Sequence, residues 1–224
     1  NNAGHTIYRG ERKIVLHLIP SGIFRSGTVN LIGPGVVLDV DVLLDELDEL
    51  AAFAERPEPG HLLIDPACSV ITAIHKECDR RFCGAIGTTG RGIGPVYEDL
   101  VGRRALRLGE LLDPGLVRRR LEEQAAVRGL EELFASSLAA LAEALVERGR
   151  RLAPYFGDVA PIVDRALRDG HGVLAEGAQG TMLDVSLGTY PFVTSSSTTL
   201  GGLLSSTGIS YKEIDRVYGI AKAY

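Results

Sequence analysis

Four short segments of the sequence carry residues that could bind a phosphorylated ligand. The most distinctive, residues 87–95, reads GTTGRGIGP and places four glycines, two threonines and an arginine within nine residues. Glycines let backbone N–H groups approach an anion closely, while hydroxyl and guanidinium groups add charge-assisted hydrogen bonds. A tight structural turn would need the same glycines, so the loop alone leaves both interpretations open. The chain contains neither a GxxxxGK[ST] phosphate loop nor a GxGxxG dinucleotide fingerprint.

Two further loops offer polar groups to a base, a sugar or a phosphate. The segment 176–181, EGAQGT, ends a predicted strand at 173–176, and open α/β sheets bind ligands at the carboxyl ends of their strands. Gln179 could read the amide-like edge of a base, although an ordinary loop amide is the simpler interpretation. The segment 188–199 is dense in hydroxyl groups that could donate to phosphate or sugar oxygens, and a solvated loop would have the same composition.

One histidine is the candidate for an acid or an electrophile. It is His5, in the fourth segment, 2–6, which reads NAGHT. By contrast, His17 and His61 fall in strand patterns, and His75 falls in a predicted helix. A single histidine in a loop is usually without function, so this assignment depends on the evidence around it.

The composition bounds the class of protein. The chain has 224 residues, is 45% hydrophobic and 24% charged, and carries a formal net charge of −5. It can therefore bury a core without disulfides or metals, and it lacks a broad cationic surface for a nucleic-acid polymer. Its three cysteines form no CxxC pair, which favours a reducing compartment such as the cytoplasm. We expect no membrane partner, since no apolar run approaches the length of a membrane span.

The hydrophobic pattern predicts alternating strands and helices that would position these loops. This alternation favours a single α/β domain over residues 1–224, with a central, mostly parallel sheet flanked by helices. Besides 173–176, the predicted strands are 13–19, 29–32, 36–38 and 61–65. The predicted helices are 41–53, 71–81, 114–146 with a break at Gly129, and 159–169. Residues 211–224 predict a further strand or helix.

Taken together, five motifs resemble the adenylosuccinate synthetase family, in the family's order. They are NAGHT at 2–6, LHLIPSGI at 16–23, GTTGRGIGPVYED at 87–99, EGAQGTMLD at 176–184 and GTYPFVTSS at 188–196. The resemblance covers essentially the whole chain and is weakest at 115–158. It implies a ligase of purine biosynthesis with a P-loop-NTPase-like synthetase fold, here incomplete. Such an enzyme joins L-aspartate to IMP with GTP as co-substrate and Mg²⁺ as cofactor, through a 6-phosphoryl-IMP intermediate.

The resemblance also implies roles for single residues. His5 would stabilise the transferring phosphoryl group, and the carbonyl of Gly4 would bind Mg²⁺. Lys13 would touch GTP from a mobile loop, residues 6–13. Arg103 would reach the IMP phosphate in the neighbouring subunit of a homodimer. The IMP contacts that the resemblance implies are Asn2, Ala3, Gly4, His5, Thr89, Arg103, Gln179 and Thr194. We therefore expect the glycine loop, Asn2, Gln179 and Thr194 to converge on one pocket.

Some parts of the family pattern differ or are missing. The chain has Asn1 where His is common and Ser197 where Asn is usual, and both changes look tolerable. The family's phosphate loop precedes the NAGHT motif, and its guanine- and aspartate-binding segments follow the last residues. The resemblance thus implies a central portion that is inactive by itself. Two alternatives stay open: a viral-type relative that acts on another purine monophosphate, and a non-catalytic nucleotide-binding remnant.

Overall fold

The computed structural model describes residues 4–53, 57–82 and 87–221, which form an α/β structure. Within these residues the strands are β1 (His5–Arg9), β2 (Arg12–Leu16), β3 (Asn30–Ile32), β4 (Val37–Leu38), β5 (Leu62–Ile64) and β6 (Ser69–Val70). The helices there are α1 (Val40–Ala52), α2 (Ala73–Phe82), α3 (Ile93–Val101), α4 (Pro114–Val127), α5 (Glu131–Phe134), α6 (Leu138–Leu152), α7 (Val159–Arg168) and α8 (Leu200–Thr207).

The strands pair in a mostly parallel manner. β3 runs parallel to β5 with Asn30 opposite Leu62, and β4 runs parallel to β6 with Val37 opposite Ser69. One chain segment carries β3 and then β4, and it continues into helix α1. The other carries β5 and then β6, and it continues into helix α2. β1 and β2 form a separate antiparallel hairpin. The predicted α/β class, with parallel strands flanked by helices, is therefore confirmed.

Helix α1 shows how local sequence signals set the bounds of an element. The carboxylate of Asp39 accepts a hydrogen bond from the N–H of Asp41 at 3.2 Å, so Asp39 is the N-cap. The leucines on one face of α1 are buried in the main hydrophobic cluster, and each contributes about 1.5–3 kcal/mol to stability by its burial. They are Leu43, Leu44, Leu47 and Leu50.

A buried carboxylate on α1 fixes the segment that follows β2. Glu46 accepts hydrogen bonds from the backbone N–H groups of His17 at 2.7 Å and Ile19 at 3.0 Å. The N–H of Leu18 lies 3.2 Å from both carboxylate oxygens. The ring of His17 in turn packs against Gly4, where an added Cβ would come within 3.1 Å of Nδ1. Helix α1 therefore positions residues 17–19 beside Gly4 of the NAGHT motif.

Several sequence predictions differ from the structure. The strand expected at 173–176 does not form; Leu174 is 88% exposed, and no described strand lies beside this segment to accept its backbone hydrogen bonds. The element expected at 211–224 is a single 3-10 turn, Tyr211–Glu213, followed by irregular chain to residue 221. In the helical stretch expected at 114–146, the predicted break forms where Gly129 adopts a φ of 62° after α4, but a second break, which was not predicted, separates α5 from α6.

Within residues 4–53, 57–82 and 87–221, none of the helices is both long and apolar enough to cross a membrane.

Candidate functional site

Three distant segments of the chain meet at the carboxylate of Glu176. Nδ1 of His5 lies 3.1 Å from Oε1 of Glu176, and the hydroxyl of Ser21 donates to Oε2 at 3.0 Å. The side chains of His5 and Glu176 are 26% and 42% exposed, so a ligand can reach them. A carboxylate at one ring nitrogen orients an imidazole and fixes which nitrogen carries the proton. This contact leaves Nε2 of His5 as the nitrogen that could meet a substrate.

Two further predicted site residues contact each other directly. The side-chain amide of Gln179 donates to Oγ1 of Thr194 at 3.4 Å. Gln179 has a φ of 62°, a left-handed backbone conformation that is uncommon outside glycine and clusters at functional sites. Because Gln179 follows Glu176 by three residues, the EGAQGT motif presents one side chain to His5 and another to the hydroxyl-rich segment.

The end of the glycine loop adjoins the same hydroxyl-rich segment. A Cβ added to Gly94, in the first turn of α3, would lie 3.2 Å from Oγ of Ser195. Within the loop, Oγ1 of Thr88 accepts a hydrogen bond from the N–H of Gly90 at 3.3 Å, and Thr89 is exposed. The structure thus brings the loop beside the residue that follows Thr194. Convergence of Thr89 and Asn2 on one pocket with Gln179 stays a prediction; Asn2 and Ala3 lie outside the described residues.

Asp184 organises the loop that carries the predicted hydroxyl donors, a role that the sequence reasoning missed. Its buried carboxylate accepts hydrogen bonds from the N–H groups of Ser186 at 2.9 Å, Leu187 at 3.0 Å and Thr198 at 2.7 Å, and from the hydroxyl of Ser197 at 3.0 Å. The backbone bonds from Ser186 and Thr198 lower the pKa of Asp184 to about 2. An aspartate that bonds to the N–H two residues later is a recognisable turn signal in a sequence.

The remaining predicted residues lie at the surface. Lys13 is exposed on β2, opposite Tyr8 on β1, so the expected loop at 6–13 is instead most of a β-hairpin. The sequence pattern did indicate a strand from residue 13, and the turn at Gly10, with a φ of 61°, pairs that strand with β1. Arg103 is exposed and has a φ of 60°.

The carbonyl of Gly4 is the type of oxygen ligand that Mg²⁺ accepts. Across the described stretches of chain, no group of three or more His, Cys, Asp or Glu side chains could hold a metal ion. The role of Gly4 as a metal ligand stays a prediction.

Comparison with models of protein families matches residues 1–224 to the family described as adenylosuccinate synthetase. The adenylosuccinate synthetase of Anaeromyxobacter dehalogenans strain 2CP-1 is 48% identical over 235 residues, which cover 100% of this chain and 54% of the relative. That of Frankia alni is 46% identical over 236 residues, with the same coverage of 100% and 54%. The chain thus spans about half the length of the curated relatives that it matches.

Two solved structures share the fold. Fully ligated adenylosuccinate synthetase from Plasmodium falciparum has a TM-score of 0.80 and 30% identity, and the match covers 96% of this chain and 51% of that one. Succinoaminodeoxyadenylate synthetase of cyanophage S-2L, bound to dGMP and dATP, has a TM-score of 0.65 and 24% identity, covering 95% and 50%. The second likeness concerns the fold alone.

Proposed function

The chain belongs to the adenylosuccinate synthetase family, and from this premise we propose that the protein containing it joins L-aspartate to IMP with GTP as the phosphoryl donor. The observation that carries the proposal is the contact of His5 with Glu176 at 3.1 Å, because it joins the NAGHT and EGAQGT motifs in one site. This chain would supply most of the IMP-binding surface. Aspartate and much of GTP would bind to other parts of the protein.

The proposed reaction has two steps. The γ-phosphoryl group of GTP passes to O6 of IMP while N1 of the purine gives up its proton to a base, which gives 6-phosphoryl-IMP and GDP. The amino group of aspartate then attacks C6, the C6–O6 bond breaks, and phosphate and a proton leave. Since phosphoryl transfer depends on alignment and on stabilisation of charge, the protein acts mainly by positioning.

The residues at Glu176 would serve the first step. In this step His5 would act as the imidazolium: Nδ1–H donates to Glu176, and Nε2–H donates to an oxygen of the transferring phosphoryl group as its charge develops. Mg²⁺, with the carbonyl of Gly4 as one ligand, would supply further neutralisation of the phosphate charge. Lys13, exposed on the β1–β2 hairpin, would contact GTP.

IMP would lie between the EGAQGT motif and the glycine loop. The amide of Gln179 suits the edge of the hypoxanthine ring, and its contact with Thr194 would set its orientation. Thr89 would donate to the IMP phosphate, and Arg103 of the partner subunit would complete that phosphate site in a homodimer. Asn2 and Ala3, outside the described residues, would add backbone and amide contacts.

We also propose a cytoplasmic location. Cys68 and Cys78 are buried free thiols in the described part of the chain, and burial raises the pKa of Cys68 to about 12. Unreactive, unpaired thiols suit a reducing compartment. Cys83 lies outside the described residues.

A full-length chimera tests the proposal. In this chimera the chain replaces the matching 54% of the A. dehalogenans relative. We expect it to form adenylosuccinate from IMP, aspartate, GTP and Mg²⁺, and we expect the chain alone to form none, because it would lack residues that align the phosphoryl group. Exchange of IMP for dGMP should abolish product formation; product from dGMP but not from IMP would favour the viral-type alternative. Full-rate turnover by the isolated chain would show that the catalytic groups are misplaced here.

A further inference from the structure

A buried aspartate between the glycine loop and Arg103 collects hydrogen bonds from three other side chains. Oδ2 of Asp99 lies 2.8 Å from Nε2 of His75 and 3.1 Å from Nη1 of Arg128. Oδ1 accepts from Nε of Arg104 at 2.7 Å and from Nη2 of Arg128 at 2.8 Å. The side chains of His75 and Asp99 are fully buried, and the side chain of Arg128 is 5% exposed. The cluster joins helices α2, α3 and α4.

The hydrogen bonds of the cluster indicate the charges of Asp99 and His75. Burial alone would raise the pKa of Asp99, but the hydrogen bonds from His75 and Arg128 outweigh it and lower the pKa to about 2. Burial lowers the pKa of His75, against the opposing effect of Asp99. Nδ1 of His75 accepts from the N–H of Thr72 at 2.9 Å, so the neutral ring carries its proton on Nε2 and donates it to Asp99. A neutral histidine thus connects Thr72 to a carboxylate anion.

On one side, the cluster fixes the end of the glycine loop. Gly92 has a φ of 78°, and an added Cβ would lie 2.9 Å from the backbone of His75 and Lys76. Its N–H donates to the buried carboxylate of Asp79, also on α2, at 2.9 Å. Nη2 of Arg128 donates to the carbonyl of Pro95 at 3.0 Å. The start of α3, and with it the loop that ends there, is held by α2 and by Arg128.

On the other side, Asp99 fixes the turn that presents Arg103. Its backbone carbonyl accepts from the N–H groups of Arg104 at 2.9 Å and Ala105 at 3.1 Å, while its side chain binds the guanidinium of Arg104. Arg103 lies inside this turn with its left-handed φ of 60°. A conformation that is unfavourable for a residue with a side chain persists only when its surroundings fix it.

We propose that Asp99, His75 and Arg104 are positioning residues that hold Thr89 and Arg103 in the geometry needed for the substrate phosphate. The proposal rests on the proposed function, because it takes Thr89 and Arg103 as the phosphate-binding groups. Since the side chains of His75 and Asp99 are fully buried, the cluster would act through the residues that it holds and not by contact with the substrate. Its loss therefore weakens IMP binding much more than it slows the chemical step.

The first test replaces Arg104, the member of the cluster that directly follows Arg103 in the turn. Arg104→Gln in the full-length chimera leaves Asp99 paired with His75 and Arg128, so no buried charge loses all its partners. We expect KM and the calorimetric Kd for IMP to rise about tenfold, while kcat and KM for GTP change less than about twofold. Arg104→Lys should recover part of the affinity, because an ammonium can make one bond to Oδ1. Arg118→Gln, which breaks an exposed ion pair with Glu122 on α4, is the matched control and should bind IMP normally.

The second test separates the two nitrogens of His75. His75→Gln can keep a donor near Asp99, whereas His75→Asn can keep the acceptor for the N–H of Thr72 and loses that donor. We expect His75→Asn to raise the Kd for IMP several-fold more than His75→Gln at equal thermal stability.

The outcomes distinguish this inference from the proposed function. If the unmodified chimera binds IMP and Arg104→Gln binds it equally well, the positioning role is wrong while the function stands. If both His75 variants lose thermal stability but keep the same Kd for IMP, the cluster stabilises the fold and does not position the phosphate-binding residues. Failure of the unmodified chimera to bind IMP would overturn the proposed function and this inference with it.

Discussion

Nδ1 of His5, on the first described strand, lies 3.1 Å from Oε1 of Glu176, in a loop in the last quarter of the chain. Glu176 also accepts a hydrogen bond from the hydroxyl of Ser21, so one carboxylate contacts two segments near the amino-terminal end, those of His5 and Ser21. This arrangement makes Glu176 the residue that orients the candidate acid.

Replacement of Glu176 should therefore lower turnover. In Glu176→Gln the amide keeps the size of the side chain, but its neutral oxygen accepts more weakly from Nδ1–H of His5 than a carboxylate does, so Nε2–H is a weaker donor to the phosphoryl group. We expect kcat of the full-length chimera to fall about tenfold or more, with a smaller change in KM for IMP. Ser21→Ala removes only the second bond to Glu176 and should have a minor effect. Equal kcat in Glu176→Gln and the unmodified chimera would contradict the role of Glu176.

Gln179 should contribute to binding through its amide rather than through its backbone. Gln179→Gly removes the side chain while glycine accepts the φ of 62° without strain, so the fold should be unperturbed. We expect the Kd for IMP to rise about tenfold, as for one lost hydrogen bond in a polar site. Calorimetric titration of Gln179→Gly, Thr194→Ala and the double variant would measure their coupling. Strictly additive losses would show that the 3.4 Å contact does not orient the amide.

The carboxylate of Asp184 should keep its loop ordered at neutral pH, and this order should be lost in acid. Its folded pKa of about 2 lies below the ordinary value of 3.8. Its stabilising effect is therefore complete above about pH 5 and is lost progressively as the pH falls through the ordinary value to the folded pKa of about 2. Hydrogen exchange at the amides of Ser186 and Thr198, corrected for intrinsic rates, should show constant protection from pH 7 to 5 and a decline below pH 4. Asp184→Asn should lack this protection already at pH 7; normal protection in that variant would contradict the assignment.

Two glycines of the glycine loop, residues 87–95, provide a matched comparison. Gly90 and Gly92 have φ values of 68° and 78°, but an added Cβ meets nothing within 4 Å at Gly90 and the α2 backbone at 2.9 Å at Gly92. Gly90→Ala should cost about 1–2 kcal/mol from backbone strain alone. Gly92→Ala should cost about 1–3 kcal/mol more, because helix α2 must shift. Denaturant unfolding of both variants measures the difference, and equal values would show that the close approach at Gly92 is not rigid.

Arg103 should act on the partner subunit's site. A dimer of one Arg103→Leu and one Thr89→Ala subunit would contain one site with both residues intact. Equal mixing makes half of the dimers mixed, so about a quarter of the activity should return if each intact site works independently. Mixed dimers that are confirmed by affinity tags but remain inactive would place Arg103 in its own subunit's site.

The sequence by itself determined the local structure and the family. Helix α1 follows from leucines at helical spacing and from an aspartate, Asp39 or Asp41, that could cap it, and the break at Gly129 follows from a glycine. These signals are local, since a helix and a turn satisfy their hydrogen bonds among near neighbours. The strand expected at 173–176 failed for the opposite reason: an apolar run becomes a strand only when another strand pairs with it.

Only the tertiary structure decided which distant polar groups meet. Glu176 was part of a motif, but nothing in its surroundings in the sequence selected His5 and Ser21 as its partners. The histidine at position 75 looked like an ordinary helical residue until the packing of α2 against α3 buried it beside Asp99. A buried charge must find its hydrogen bonds wherever the fold brings donors within reach, and that choice is made by the packing of whole elements and not by spacing along the chain.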